Sequence, residues 1–325
     1  MTAKNLTLSV RIPNCQPNLI CNLISNMQDT RLTISGQALW QWRCQALTLA
    51  ISAQIPTNEI DWLLRELIGI EPLALRLESF KDWPTIPIPM TLEELTDLWE
   101  KRITQKTPIQ YLAGITPWHQ FSLIVSPAVL IPRPETECLV DLAIDGAQRA
   151  GLTAGHWVDL GTGSGAIACA LGLGLSEANI HAVDVSEDAL IIAQKNIDRL
   201  NLSNRIKVYH GSWWQPLNHL QGNIIGMISN PPYIPSNLIS TLQPEVVNHE
   251  PHLALDGGID GLDYIRHLIK SAPNYLKPGS LWLVETMAGQ ANLVKQMLEN
   301  NGNYRDIKTS QDLAGIERFV IALTQ

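Results

Sequence analysis

The sequence predicts an α/β chain: a Rossmann-like, doubly wound sheet preceded by a small helical domain. Three observations predict it. Residues 35–105 carry apolar side chains at helical spacing. From His156 onward, short apolar strands alternate with helical segments, the mark of a parallel sheet built from βα units. Within that region a strand, a glycine loop and a helix are followed, about 20 residues after the loop, by a strand that ends on Asp184.

The chain has 325 residues and is 45% hydrophobic, enough for one large domain and a smaller one. No apolar run approaches the roughly 20 residues that span a bilayer. The five cysteines, Cys15, Cys21, Cys44, Cys138 and Cys169, are scattered, odd in number and without a C-x-x-C pair. That argues against a disulfide framework or a zinc site and fits a reducing cytoplasm. A net charge of −8 argues against broad, charge-driven nucleic-acid binding, though not against a local basic patch. The first 34 residues show neither a signal-peptide nor a transit-peptide pattern. They are expected to be a poorly ordered extension, with the start, or the start of order, near Met27.

Leu39, Trp40, Cys44, Leu47 and Ile51 recur at helical spacing after Ser35-Gly36. A second helix is expected over about Asn58–Gly69. Trp83-Pro84-Thr85-Ile86-Pro87-Ile88-Pro89 reads as a connector, since its prolines prevent a regular helix. Thr91 and Glu94 form a capping box for a helix to about Ile103. Trp40, Trp42 and Trp62 serve either the core of this domain or the grip on a partner, and burial preference favours the core. Residues 106–135 read as a connecting hairpin, with alternating Phe121, Leu123 and Val125. They end in Ile131-Pro132-Arg133-Pro134-Glu135-Thr136-Glu137, where Pro134 suits a first helical turn and the two glutamates favour its positive end.

The nucleotide-type unit is strand His156–Leu160, loop Gly161-Thr162-Gly163-Ser164-Gly165 and helix Ala166–Leu173. Glycines belong where backbone turns sharply and approaches a ligand with no Cβ in the way. Asp184 then stands at the spacing from which a carboxylate reaches a ribose diol, and Ser186 caps the next helix. The third strand, Ile206–His210, runs into Gly211-Ser212-Trp213-Trp214 on the same rim. Trp213 either covers an adenine ring or, like Trp214, packs the sheet edge.

The fourth strand, Ile224–Ser229, stops at Asn230-Pro231-Pro232-Tyr233. An amide or aromatic-amine nitrogen is a poor nucleophile because its lone pair is delocalised. A catalyst must therefore hold the NH2 group and turn that lone pair toward an electrophile. Asn230 offers a side-chain carbonyl and Pro231 a main-chain carbonyl, two acceptors for two N–H donors. The prolines stiffen the turn and withhold N–H groups, and Tyr233 supplies a flat stacking surface. Glycine loop, Asp184 and this tetrapeptide end successive strands of one parallel sheet and so converge on one crevice. Beyond them, the glycine-rich stretch Glu250–Leu262 is placed to close over the site. His249 and His252 flank Glu250 without a third timed ligand, so no metal site is assigned.

Taken together, Pro108–Gly114, Ile131–Glu137, Asp159–Ile167, Ala182–Leu190, Ser229–Tyr233, Glu250–Leu262 and Asp312–Arg318 resemble the release-factor glutamine N5-methyltransferases of the HemK/PrmC type. The resemblance runs from about residue 36 to the end. It implies a seven-stranded class I methyltransferase domain over 136–325, a helical substrate-docking domain over 35–105 and S-adenosylmethionine as cofactor. It also implies a protein substrate, the glutamine of the Gly-Gly-Gln motif in peptide chain release factors. Carried over residue by residue, Gly161, Thr162, Gly163, Ser164 and Gly165 would cradle the cofactor and Asp184 would hold its ribose. Trp213 would lie by the adenine, and Asn230, Pro231, Pro232 and Tyr233 would hold the glutamine amide, with Asn230 also facing the cofactor.

Two departures stand out. The family often has a glycine two residues after the acid of strand five and a glutamine three further on. Here Glu285 is followed by Thr286-Met287-Ala288-Gly289-Gln290, which implies a differently shaped turn. Many members also carry an acid before the aromatic after strand three, where this chain has Ser212. A methyltransferase acting on an exocyclic amine of adenine or guanine suits Asn-Pro-Pro-Tyr equally well. A non-catalytic nucleotide-binding module fits less well, having no need of Asn230.

Overall fold

A computed structural model describes residues 32–325. The expected poorly ordered extension, residues 1–34, lies outside the described residues for 1–31, and at 32–34 the chain is ordered. Leu32–Ile34 forms a strand (β1) that pairs antiparallel with Ile86–Ile88 (β2). The connector with three prolines thus holds a strand, because a two-stranded ribbon is all edge and an edge strand tolerates a residue with no N–H. Ile86 and Ile88 point into the core while Pro87 faces out.

Between the two strands lie helices Gly36–Ser52 (α1), Asn58–Ile68 (α2) and Pro72–Leu77 (α3). Leu92–Gln105 (α4) follows, opened by the expected Thr91–Glu94 capping box. Leu39, Trp42, Leu63, Leu64, Phe80, Leu95 and Trp99 form their core. Trp42 is buried and donates to Thr96 Oγ1 at 3.0 Å, while Trp40 and Trp62 pack partly buried against the cluster. These tryptophans therefore hold the domain together. The region read as a simple hairpin opens instead with a short helix, Ile109–Ala113 (α5). Ile115–Trp118 (β3) and Phe121–Ile124 (β4) then pair as the hairpin.

Helix Pro134–Ala150 (α6) leads into the main sheet: Ala154–Leu160 (β5), Glu177–Asp184 (β6), Ile206–His210 (β7), Ile224–Ser229 (β8), Leu276–Glu285 (β9), Tyr304–Gln311 (β10) and Glu317–Thr324 (β11). Its order is β10-β11-β9-β8-β5-β6-β7. Neighbours among β5 to β9 run parallel, and β11 lies antiparallel to both β9 and β10 as a terminal hairpin. The chain reverses its direction of growth at β5, so the crevice at the carboxyl ends of β5 and β8 is the topological switch point where ligands bind in such sheets.

Helices α6, Ala166–Gly174 (α7) and Glu187–Arg199 (α8) cover one face through Leu139, Val140, Cys169, Leu171 and Ile197. Asp263–Ser271 (α10) and Ala291–Asn301 (α11) cover the other through Ile265, Leu268, Val294 and Leu298. Between β8 and α10 the short helix Pro244–His249 (α9) stands out from the sheet. Gly226 interrupts the apolar run of a fully buried strand because the Trp157 ring lies over it, 2.4 Å from where a Cβ would stand. No helix among the described residues is long and apolar enough to cross a membrane.

Candidate active site

The carboxyl rim of the sheet bounds a cavity of about 260 Å³. Gly161, Gly163, Asp184, Ser186, Trp213, Asn230 and Pro232 line it, with Tyr264 and Pro251, Leu253 and Ala254 of the glycine-rich stretch. Sequence-expected residues from β5, β6, β7 and β8 thus meet at one place. Leu130, Val129 and Ala128 close the side toward the hairpin.

Gly161 and Gly163 adopt positive φ, 77° and 52°, which a β-carbon would strain. Thr162 and Ser164 face inward and do not line the cavity; Thr162 Oγ1 donates to Asp159 Oδ2 at 2.5 Å. Gly165 caps helix α7 so closely against α8 that a Cβ would lie 3.2 Å from Ala193 Cα. Asp184 binds the loop rather than standing free. Its Oδ2 accepts from Gly163 N at 2.8 Å and its Oδ1 from Ser186 N at 3.0 Å. Burial raises its pKa against the opposing pull of these N–H groups. Asp159, fully buried, is pushed up to about 7 by desolvation, and its Oδ1 has no hydrogen-bond partner among the described residues.

The two tryptophans separate cleanly. Trp213, at φ 51°, turns its ring into the cavity and lies 5.2 Å from Tyr264 between ring centroids. Trp214 is buried and stacks on Tyr275 at 4.7 Å.

At the end of β8, Asn230 Nδ2 donates to Thr136 Oγ1 at 3.1 Å. Thr136 Oγ1 donates to Glu285 Oε2 at 2.7 Å, and Tyr233 OH donates to Glu285 Oε1 at 3.1 Å. Glu285 is buried, and desolvation pushes its pKa up to about 7. Thr136 belongs to the motif around Arg133 and Glu285 ends β9 on the same rim; sequence reasoning quoted both and gave neither a role. Gln290, expected only as part of a differently shaped turn, makes the contacts that hold that turn in place. Its Nε2 donates to Tyr233 O at 3.1 Å and Asp260 O at 3.3 Å, while its Oε1 accepts from Met287 N at 2.9 Å, so the turn after β9 fastens residues 230–235, the acceptor turn named for the carbonyls of Asn230 and Pro231, to the glycine-rich stretch.

That stretch packs onto the acceptor turn. Ile234 and Asp256 form a bridge, and a Cβ on Gly261 would meet Tyr233 O at 2.2 Å. Arg133 anchors its start, with Nη2 at 2.7 Å from Glu250 Oε2. Burial raises the Glu250 pKa and Arg133 opposes the rise. His249 Nε2 lies 2.7 Å from Gln105 O, tying α9 to the end of α4. Among the described residues no three His, Cys, Asp or Glu side chains stand together as a metal site would require.

A family model described as the methyltransferase small domain matches residues 147–259. The release factor glutamine methyltransferase of Synechocystis sp. is 47% identical over 293 residues, covering 90% of this chain and 98% of that one. Its counterpart in Gloeobacter violaceus is 44% identical, covering 86% and 95%. The chain belongs to the release factor glutamine methyltransferase family. Among solved structures, the catalytic domain of hMettl16, crystallised with the MAT2A 3'UTR hairpin 6, superposes with a TM-score of 0.50 at 17% identity, covering 71% of this chain and 80% of that one. At that identity the likeness shows the fold alone. A release factor glutamine methyltransferase needs a cradle for a methyl donor beside a holder for a planar amide. Here residues that end β5, β6, β7 and β8 line one cavity.

Proposed function

We propose that this chain methylates the side-chain amide nitrogen, N5, of the glutamine in the Gly-Gly-Gln motif of peptide chain release factors, with S-adenosylmethionine as donor. One observation carries the reading: Asn230 and Pro232 line the same cavity as Gly161, Gly163, Asp184 and Trp213. The relatives' names support the glutamine over the nucleobase alternative.

The residues present fit the donor. Positive-φ Gly161 and Gly163 bring bare backbone to the cavity, Asp184 lines it as a carboxylate suited to a ribose diol, and Trp213 offers a ring face. When bound, S-adenosylmethionine supplies a methyl group on a sulfonium, whose S–C electron pair returns to sulfur as the new N–C bond forms. Asn230 Oδ1 and the Pro231 carbonyl accept hydrogen bonds from the two amide N–H groups, and Pro232 stiffens the turn that presents them. With both N–H bonds directed, the nitrogen lone pair faces the methyl carbon, and rate is gained mainly from positioning. The alkylated nitrogen then loses its proton to water. Tyr233 does not line the cavity; it packs against the core behind Pro232, and its hydroxyl donates to Glu285.

We assign substrate docking to residues 35–105, which are tied to helix α9 by Arg102 and Glu245, 2.9 Å apart, and we assign the reaction to the cytoplasm. The test supplies labelled S-adenosylmethionine with a release factor, its Gly-Gly-Gln→Gly-Gly-Ala variant, and RNA or DNA. Label confined to the intact release factor is expected. Label in the Gly-Gly-Ala variant or in nucleic acid overturns the reading.

A further inference from the structure

We infer that Thr136 and Glu285 lock the Asn230 carboxamide with its oxygen toward the cavity, so that the site takes the nitrogen end of a substrate amide and refuses its oxygen end. The inference rests on the reading of this site as the holder of a glutamine amide. A glutamine carboxamide has nearly the same shape either way round, and only the difference between donor and acceptor tells NH2 from C=O. The Pro231 carbonyl is an acceptor whatever its surroundings. Asn230 is not, because its own amide can present either end.

The neighbouring protons decide which end faces out. Ionised Glu285 has no proton to give, so Thr136, 2.7 Å away, must spend its single hydroxyl proton on Oε2. Thr136 then has only lone pairs for Asn230, 3.1 Å away on the other side. The Asn230 atom facing Thr136 must be Nδ2, and Oδ1 is left for the cavity that Asn230 lines. The reverse orientation would set two acceptors against each other in a place closed to water, since Thr136 and Glu285 are 4% and 1% exposed. Tyr233 OH donates to the second oxygen of Glu285 at 3.1 Å, which leaves Oε2 for Thr136.

The lock depends on the charge of Glu285. Once protonated, that carboxyl can donate to Thr136, whose own hydroxyl can then donate to Oδ1 of a flipped Asn230 amide. Groups facing Glu285 pull both ways: Arg318 from β11 favours the ionised form, Glu135 from α6 opposes it, and the Thr136 and Tyr233 hydroxyls stabilise it. Burial is the largest influence and favours the proton. The orientation is therefore enforced on the alkaline side of neutrality and relaxed on the acid side.

The test compares the wild type with Thr136→Val, Thr136→Ser and Glu285→Gln, all screened for folding by thermal melts. Thr136→Val is expected to lower kcat by roughly tenfold or more while KM and cofactor Kd stay within about threefold. Thr136→Ser, which keeps the hydroxyl, is expected to stay within about threefold of wild type. Glu285→Gln is expected to lower kcat and flatten its rise between about pH 6 and 8, because an amide has no charge to lose. A Thr136→Val enzyme with wild-type kcat overturns the lock, as does a Thr136→Ser enzyme as damaged as Thr136→Val. If the wild type leaves the release factor unlabelled, the glutamine reading fails, and proton exchange of the Asn230 side-chain NH2, followed by 15N NMR, judges the lock without any substrate. Protection that drops by about tenfold in Thr136→Val supports it, and equal protection in both proteins overturns it.

Discussion

Arg102 of the helical domain donates its Nη1 to Glu245 of helix α9 at 2.9 Å, while its Nε and Nη2 are held by Glu59. One guanidinium, 5% exposed, thus joins the helical domain to helix α9, which lies between the acceptor turn and the glycine-rich stretch. Glu59 alone satisfies two of its nitrogens, so the Glu245 bond adds alignment more than stability.

Glu245→Ala is therefore expected to change folding stability by only about 0–1 kcal/mol, since Glu245 is partly exposed and Arg102 keeps Glu59. KM for the release factor should rise by about three- to tenfold with cofactor Kd unchanged. Steady-state kinetics and a calorimetric titration check both halves.

Asn230→Ala removes one of the two acceptors for the amide protons. Methyl transfer should fall by about a hundredfold or more, because the nitrogen lone pair is no longer aimed. Cofactor binding should survive, since Gly161, Gly163, Asp184 and Trp213 remain in place. Equal loss of binding and transfer would contradict the role.

Trp213→Ala and Trp214→Ala should fail differently. The first removes a ring face from the cavity and should weaken cofactor affinity by roughly tenfold with little change in melting temperature. The second empties a buried site stacked on Tyr275 and should cost about 3–5 kcal/mol of stability.

Asp159 gives the stability a pH dependence whose sign can be worked out. Its folded pKa, about 7, lies above the usual carboxylate value, so its contribution is full below about pH 4 and is lost as pH rises through 7. Asp159→Asn can keep the bonds from Thr162 and from Ala168 N to one oxygen while removing the charge. The variant should melt a few degrees above wild type at about pH 8, with the gap closing by about pH 5. His181 runs the other way: burial and the neighbouring His156 lower its pKa to about 4. It contributes above about pH 6.5 and less as pH falls toward 4.

Much of this was legible in the sequence because it is local. The strand, glycine loop and helix announce themselves by spacing, and the timed Asp184 falls where the rule for parallel sheets puts it. The convergence of four strand ends on one cavity follows from topology alone. The strand at Ile86–Ile88 was hidden because prolines mask a strand that survives only as an edge. Helix α5 is too short for periodicity to show. Thr136 and Glu285 are 149 positions apart, and their bond exists only once the sheet has closed. Periodicity reports which face of an element is apolar; it is silent on which polar groups will meet across the fold.

The acceptor turn is roofed by chain that comes about 25 residues later, with Ile234 hydrogen-bonded to Leu255 and Gly257, and Gln290 pinning Tyr233 and Asp260 from below. Residues 230–235 therefore do not own their conformation; they borrow it from the glycine-rich stretch and from the turn after β9. Activity is then governed by the cooperative unit that includes all three segments, not by the sheet beneath them. Warming or mild denaturant that peels back only the stretch from Glu250 to Leu262 would silence the enzyme while its sheet, and the spectroscopic signature of that sheet, stayed whole.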